Sequence, residues 1–303
     1  MNRARWLCLA LLAFPCVANS DVTIESHLTV ESVAGTGAGA VRTETSGLRR
    51  REERRLALEG AFASAQPETA QTSIIRLDRS VVDHVYAADS TYEEVPLSRV
   101  LARAAEGTSA AVPGFDQGAS LDLVWTVTSA SPGGTATIAG FSATPTAITV
   151  RGKGKHKETG QPIEIALTLE LWTAKGVPGA AELRAFDSKY ATAVGLAPGA
   201  IEESMASFGV PRTAVRQLTA ARAKVAGTPL RTVMRVSMPS LSGLLAKLSE
   251  SMGGALGGAA PAPDGPLLTS TLEVERIDVA PIAPDRFRVP AGWHKRLPAA
   301  SNP

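Results

Sequence analysis

The stretch Gln71 to Pro96, QTSIIRLDRSVVDHVYAADSTYEEVP, decides the fold. Apolar residues alternate with polar ones in three short runs, which are separated by the polar segments Asp78 to Ser80 and Ala88 to Ser90. Such alternation is typical of β-strands, and connections this short join antiparallel rather than parallel neighbours. The sequence therefore predicts a three-stranded β-meander.

Two further segments alternate almost as regularly. Val22 to Val33 places most of its apolar residues at even positions, which predicts a half-buried strand. The twelve residues from Ile163 to Ala174, at about 3.3 Å each, predict a strand of roughly 40 Å in a large, strongly curved sheet. We expect the apolar face of this second strand to be core: Ile163, Ile165, Leu167, Leu169 and Leu171.

Interruptions of the alternation predict irregular places in the sheet. Leu267 to Val279 changes parity between Val274 and Ile277, which indicates a β-bulge near Glu275. Gly35 to Gly39, GTGAG, predicts a flexible hairpin, since no helix follows it as a phosphate-binding loop would require.

Two other segments are predicted to lie at the surface of the sheet. Ser131 to Gly134 is expected to be the turn of a hairpin formed by Leu121 to Phe141. Arg49 to Arg55, RRREERR, predicts a solvated strand face or hairpin end, and the alternative is attachment to anionic lipid head groups. Two glutamates interrupt the positive run, which favours the solvated face.

Helical periodicity is limited to a few segments. Helices are predicted at Pro96 to Gly107, Ile201 to Gly209 and Pro211 to Gly227, where they would cover the sheet. Ser240 to Met252 predicts a further helix, followed by a glycine-, alanine- and proline-rich linker that completes the segment 240–266. This helix would either pack permanently on the sheet or lift as a lid over a ligand.

The first twenty residues have the pattern of a secretory signal peptide. Arg3 and Arg5 precede an apolar run from Trp6 to Val17, and Ala18 to Ser20 forms a small-residue cleavage site. We expect cleavage near Ser20, a periplasmic or secreted location and no transmembrane segment in the mature chain. Residues 21–297 would then form a single domain, with 107–118 as the place for an internal boundary and 298–303 as a disordered tail.

Both cysteines, Cys8 and Cys16, lie inside this signal peptide. A mature chain without cysteine has no disulfide, no thiolate nucleophile and no cysteine-based metal site. Lipidation of Cys16 stays open as an alternative, although Pro15 stands where a lipoprotein signal has a small residue. The net charge of +2 is too small to indicate nucleic-acid binding.

The sequence contains none of the usual catalytic motifs with their required spacing. The mature histidines lie far apart in the chain, so neither a metal ion nor another cofactor is predicted. Asp83 is next to His84, and Glu93 is next to Glu94, but neighbouring residues of a strand point to opposite faces. We therefore expect no catalytic residues and a protein that is not an enzyme.

Apolar strand faces bordered by tryptophan offer a binding surface for a hydrophobic ligand. The candidate ligand-binding residues lie on two predicted strands and on the helix predicted from Ser240 to Met252. They are Trp125, Leu167, Leu169, Trp172, Leu244 and Leu248.

Three segments carry a resemblance to a known family. They are Ile74 to Leu97, IIRLDRSVVDHVYAADSTYEEVPL; Ile277 to Trp293, which ends in FRVPAGW; and, more weakly, Leu171 to Gly179. They resemble a family of secreted bacterial proteins of unknown function, similar in turn to the periplasmic lipoprotein carriers (LolA/LolB-like fold). The resemblance covers about half of the chain. It implies a curved antiparallel sheet with helices against its concave face, an arrangement that shelters acyl chains in those carriers.

Together these observations predict an α+β protein with one large curved antiparallel β-sheet, an open half-barrel with helices packed on its concave face. The predicted function is non-enzymatic binding of a lipid or acyl chain. Two alternatives stay open: an envelope module that binds a protein partner and no small ligand, and a hydrolase.

Overall fold

The computed structural model describes residues 21–32, 35–60, 69–100, 121–194, 212–239 and 265–296. Within these ranges the chain forms thirteen β-strands and two α-helices. The strands are β1 Val22–Ser32, β2 Gly35–Ser46, β3 Arg49–Leu58, β4 Thr69–Arg76, β5 Val81–Tyr86, β6 Thr91–Pro96, β7 Leu121–Ala130, β8 Ala136–Ile138, β9 Phe141–His156, β10 Pro162–Ala174, β11 Thr228–Ser237, β12 Leu268–Val279 and β13 His294–Lys295; the helices are α1 Ala180–Ala193 and α2 Arg212–Ala223, and short 3-10 helices cover Leu97–Arg99 and Pro284–Phe287.

The strands form one continuous sheet in the order β13-β6-β5-β4-β3-β2-β1-β12-β11-β10-β9-β7, and β8 pairs with β9. All neighbours are antiparallel except β13, which lies parallel to β6. Two meanders, β1 to β6 and β9 to β12, are therefore joined where β12 pairs with β1. The prediction of an α+β protein with one large, curved, unclosed antiparallel sheet is confirmed.

The bulge predicted near Glu275 is also confirmed. Glu25 pairs with Arg276 and Ser26 pairs with Val274, so Glu275 is the extra residue of β12. A single extra residue reverses the faces of all side chains beyond it, which explains the change of parity in the sequence.

The predicted meander, β4 to β6, is covered on both faces. Ile75 packs with Val82 and with Phe186 of α1 on one side. Ile74 packs with Phe287, from the chain that follows β12, on the other. Because β12 lies beside β1 and β13 lies beside β6, this returning chain crosses the six strands β1 to β6. The sheet is thus the middle layer of three at this end.

The hairpin predicted at Gly35 to Gly39 is present as the antiparallel pair β1 and β2, but these residues form the first half of β2 and not a flexible loop. A Cβ atom on Gly39 would lie 1.9 Å from the carbonyl oxygen of Arg55, and one on Gly37 would lie 2.7 Å from Leu58 Cδ2. The glycines are needed because β3 approaches this part of β2 too closely for side chains.

The charge run Arg49 to Arg55 lies in β3, in the interior of the sheet, and its first arginines are not solvated as predicted. The side chains of Arg50 and Arg51 are only 11% and 15% exposed. The Arg50 guanidinium lies 4.1 Å from the ring centroid of Phe186 and 2.7 Å from Asp187 Oδ1, both in α1. Cation–π contact and charge pairing compensate for its removal from water.

The hairpin predicted over Leu121 to Phe141 is wrong as well. β7 pairs with β9, from Leu121 opposite His156 to Ala130 opposite Ala147, and the tight turn at Ala139 and Gly140 joins β8 to β9 instead. Local turn chemistry could not reveal this pairing, since the two strands are separated by a further strand.

Of the predicted helices, the one beginning at Pro211 is confirmed as α2. The helix predicted from Pro96 begins as the 3-10 helix Leu97–Arg99, and its remainder lies outside the described residues. The helices predicted at Ile201 to Gly209 and Ser240 to Met252, the boundary at 107–118 and the tail 298–303 also lie outside them. Helix α1 was not predicted, because only Leu183 and Phe186 of its residues are buried and its apolar periodicity is weak.

A salt-bridge cluster attaches the returning chain to the sheet. Arg286 Nη2 lies 2.9 Å from Glu44 Oε2 and 2.9 Å from Glu53 Oε1, and the Glu44 side chain is 4% exposed. Arg51 donates a hydrogen bond to the carbonyl oxygen of Arg286, and Arg76 donates one to that of Phe287. Burial favours a raised pKa for Glu53, but hydrogen bonds and charges from Arg51 and Arg286 outweigh it and lower the pKa below its ordinary value of 4.5.

We expect Arg286→Gln to destabilise the protein by about 1–3 kcal/mol at neutral pH, because a buried carboxylate loses a charged partner. Since the folded pKa of Glu53 is depressed, its stabilising effect is present above pH 4.5 and is lost as the pH falls through the folded value. The variant should therefore lose less stability than the wild type upon acidification below pH 4.5. Urea unfolding at several pH values measures both effects. Arg276→Gln, which breaks an exposed pair with Asp278, is the control and should cost less than about 1 kcal/mol.

Gly179 and Gly176 provide a matched pair for the packing of α1. Both have a positive φ, 72° and 70°, but a Cβ atom on Gly179 would lie 2.3 Å from Val22 Cγ2, whereas nothing lies within 4 Å of one on Gly176. We expect Gly176→Ala to cost about 1–2 kcal/mol from backbone strain alone and Gly179→Ala roughly 1–3 kcal/mol more. Equal losses in thermal unfolding would show that α1 does not press against Val22.

Candidate functional site

One row of apolar side chains crosses five neighbouring strands. Register pairs join Val127 to Val150, Val150 to Leu167, Leu167 to Val236 and Val236 to Leu268. Paired residues of antiparallel strands point to the same face, so all five side chains lie on one side of β7, β9, β10, β11 and β12. A second row, Ile148, Leu169 and Met234, runs parallel to it. We call the surface formed by these two rows the apolar face.

The apolar face is only partly covered. Ile148 and Val150 are buried, whereas Leu167, Leu169 and Val236 are half-buried. The prediction that Ile165, Leu167 and Leu169 belong to the core is therefore wrong. The buried leucine of β10 is Leu171, at 4% exposure.

The two described helices lie on this same side of the sheet, at its two ends. Helix α2 contacts β7 and β9. Val124, which points to the opposite side of β7, is 73% exposed, so α2 must cover the apolar side. The register pairs of β12, β1, β2, β3 and β4 place Ile75 on the same side of the sheet as Leu268. Ile75 packs against α1, so α1 lies on that side too. The strands from β10 to β12 lie between the two helices.

Trp125 borders the apolar face. It pairs with Gly152 of β9, and a Cβ atom on that glycine would lie 3.1 Å from the indole ring. The indole ring thus lies against the backbone of Gly152, which has no side chain. Gly152 also pairs with Ile165 of β10. The structure therefore brings three candidate ligand-binding residues to one side of the sheet: Trp125, Leu167 and Leu169.

Trp172 lies on the other side of β10. Its Nε1 donates a hydrogen bond of 2.6 Å to Glu170 Oε1, and the Arg231 guanidinium lies 5.3 Å from the ring centroid. Arg235 Nη1 lies 2.9 Å from Glu170 Oε2. Burial favours a raised pKa for Glu170, but the hydrogen bonds from Arg235 and Trp172 outweigh it and lower the pKa. The indole is half-buried and packs against the buried cluster that includes Ile138, Ala174 and Leu230, while its Nε1 and ring contact these polar groups. Leu244 and Leu248, the remaining candidates, lie outside the described residues.

His84 has a partner that the sequence analysis did not identify. Ser73 Oγ lies 3.1 Å from His84 Nδ1 across the pairing of β4 and β5. Glu93 pairs with His84 and Glu94 pairs with Asp83, so the two glutamates do point to opposite faces as predicted. Only the register of three strands brings Ser73 and His84 together. In the part of the chain that the structure describes, no group of three or more histidine, cysteine, aspartate or glutamate residues could hold a metal ion.

No protein-family model and no curated protein matches the chain. A solved structure that is similar is a Vibrio parahaemolyticus domain provisionally named as an outer membrane lipoprotein-sorting protein, with 6% identity, coverage of 89% of each chain and a TM-score of 0.29. Among the described residues, no helix has the length and apolar character needed to cross a membrane.

Leu171 and Leu167 lie on the same face of β10 and differ in burial, so they provide a direct comparison. We expect Leu171→Ala to cost about 2–5 kcal/mol, because it leaves a cavity in the core, and Leu167→Ala only about 1–2 kcal/mol. Urea unfolding measures both losses. An equal or greater loss at Leu167 would show that the apolar face is fully covered in solution.

Proposed function

We propose that the protein is a non-enzymatic binder of a hydrophobic ligand, an acyl chain, and that the apolar face is the binding surface. The observation that supports this is the continuous row from Val127 to Leu268, in which Leu167 and Val236 are only half-buried. We take this side of the sheet, with α1 and α2 at its ends, as the concave one. The predicted signal peptide indicates that the protein binds its ligand in the periplasm or outside the cell.

The dimensions of the apolar face suit an acyl chain lying across the strands. Five strands at a spacing of about 4.8 Å span roughly 20 Å. Each methylene group removed from water contributes about 0.8 kcal/mol, so ten groups contribute on the order of 8 kcal/mol before the costs of association are subtracted. An affinity between millimolar and micromolar follows from these magnitudes.

The two sides of β10 allow this proposal to be tested with matched variants. Leu167→Glu places a charge on the apolar face, and Thr168→Glu, on the opposite side of the strand, is the control. Titration of the purified protein with a fluorescent fatty acid should give binding that Leu167→Glu weakens at least about tenfold and Thr168→Glu leaves unchanged. Native mass spectrometry of protein purified from the periplasm should show a bound acyl chain.

Two results would contradict the proposal. One is the absence of any acyl-chain uptake by the wild-type protein. The other is uptake that both glutamate variants reduce equally, since the apolar face would then not be the surface involved.

One observation favours the alternative of a protein interaction module. Along the described chain β7 pairs only with β9, so it is an edge of the sheet, whereas β13 covers the edge of β6 at the opposite end. β7 has a single charged residue, Asp122, and it exposes Val124. Such an edge can accept an added strand from a protein partner. Recovery of a stoichiometric envelope protein by crosslinking, abolished by Val124→Lys and accompanied by no acyl-chain binding, would support this alternative.

A further inference from the structure

The face of the meander opposite to α1 contains a polar cavity. Its volume is about 320 Å³, and it lies between the strands β4 to β6 and the chain that follows Phe287. Its walls include Arg76, Arg79, Asp83, Tyr92, Glu94 and Arg288. The volume is at the lower end of the range of small-molecule sites, about 300–1,000 Å³. A compact ligand therefore fits this cavity better than an acyl chain.

Asp83 is the residue of this cavity that points to a bound ligand. The residue is 3% exposed, and within the described ranges its buried Oδ1 atom has no hydrogen-bond partner. Asp83 and Glu94 pair in register, so both carboxyl groups point to the same face of the sheet. Nearly all buried polar atoms in folded proteins have a partner, because leaving one unpaired is costly.

The basic groups around Asp83 are engaged by other carboxylates. Arg76 donates two hydrogen bonds to Asp78, at 2.8 and 2.7 Å. Glu94 accepts hydrogen bonds from Lys295 at 2.7 Å and from Arg79 at 3.3 Å. These pairings hold the cations near the cavity, while no donor from the described part of the chain reaches Asp83 Oδ1.

The environment of Asp83 disfavours its charged form. Burial, together with the charge of Glu94, raises the pKa of Asp83, and the charges of Arg79, Arg76 and Lys295 offset this only in part. A carboxyl group in such a position reduces the stability of the fold at neutral pH. Titratable groups with a shifted pKa that also line a cavity are more common at binding sites than elsewhere.

We propose that this cavity binds a neutral, polyhydroxylated ligand of monosaccharide size, with one hydroxyl group beside Asp83 Oδ1. A hydroxyl group can donate to Asp83 and can also accept a hydrogen bond from a guanidinium on the wall, such as that of Arg288. An ammonium group would be repelled by Arg76, Arg79 and Arg288, and an anion would be repelled by Asp83 and Glu94. The ring of Tyr92 supplies an apolar wall for the C–H groups of a sugar.

Binding can be tested on the mature chain by saturation-transfer NMR. The probes are D-glucose, D-galactose, D-mannose and N-acetyl-D-glucosamine, with putrescine and inorganic phosphate at the same concentration as a cationic and an anionic control. We expect at least one sugar to bind and neither control to do so. Asp83→Ala should weaken sugar binding about tenfold or more, because a hydrogen bond to a charged group is lost. Arg288→Gln should also weaken it.

Leu167→Glu, on the apolar face, should leave sugar binding unchanged, which separates this inference from the proposed acyl-chain binding. The inference is overturned if no sugar binds, if putrescine or phosphate binds in place of the sugars, or if Asp83→Ala binds the sugar as the wild type does.

Stability gives an independent measurement. Asp83→Asn removes the unpaired charge with little change of shape, so Tm at neutral pH should rise by about 2–4 °C. This gain should shrink as the pH is lowered and Asp83 takes up a proton. A lower Tm for Asp83→Asn at neutral pH would show that the carboxylate stabilises the fold, and the inference would then be wrong.

Discussion

Ile74 and Ile75 are consecutive residues of one strand, and both are buried. Because successive side chains of a strand point to opposite faces, this is achieved only when a layer covers each side of the meander. Phe186 of α1 lies on one side, and Phe287 of the returning chain lies on the other. The remaining topology is consistent with this requirement. β12 pairs with β1, so the chain leaves the sheet near its middle and crosses β1 to β6 before β13 joins the far edge of β6.

Arg50 and Arg51 repeat this two-sided arrangement in β3. Arg50 stacks on Phe186 and pairs with Asp187 of α1, while Arg51 donates to the carbonyl oxygen of Arg286 on the opposite side. Each guanidinium is removed from water, yet each keeps a charged partner, since Arg51 also pairs with Glu53. The charge run that looks solvated in the sequence therefore attaches both outer layers to the sheet. Arginine suits this task because its planar group can stack and form directed hydrogen bonds together.

Features that depend on neighbours along the chain could be predicted from the sequence. The meander, β10, helix α2 and the bulge at Glu275 all follow from local periodicity and turn residues. The pairing of β7 with β9 could not be predicted, because it depends on strands that are distant in the chain. Half-burial of Leu167 could not be predicted either, since a period of two gives the face of a residue but not what covers that face. The same holds for Ser73 beside His84 and for Asp83 Oδ1, which has no hydrogen-bond partner among the described residues. The contact between Ser73 and His84 depends on the register of adjacent strands. The situation of Asp83 depends, in addition, on which carboxylate each nearby cation pairs with.

The two binding proposals rest on opposite sides of the same sheet, and the register explains how both sides come to carry surfaces of different character. Along β10 the odd positions from Ile163 to Leu171 are apolar and the even ones are mostly polar, and antiparallel pairing carries this separation into the neighbouring strands. In β5 the same separation holds at Val82 and Asp83, because Val82 faces α1 while Asp83 faces the polar cavity. A shift of β5 by one residue would therefore turn Val82 toward the cavity and bury Asp83 against Phe186. The position of Asp83 is thus fixed by the packing of Val82 against α1. The hydrophobic contacts that stabilise the fold therefore also keep a destabilising carboxyl group in the cavity.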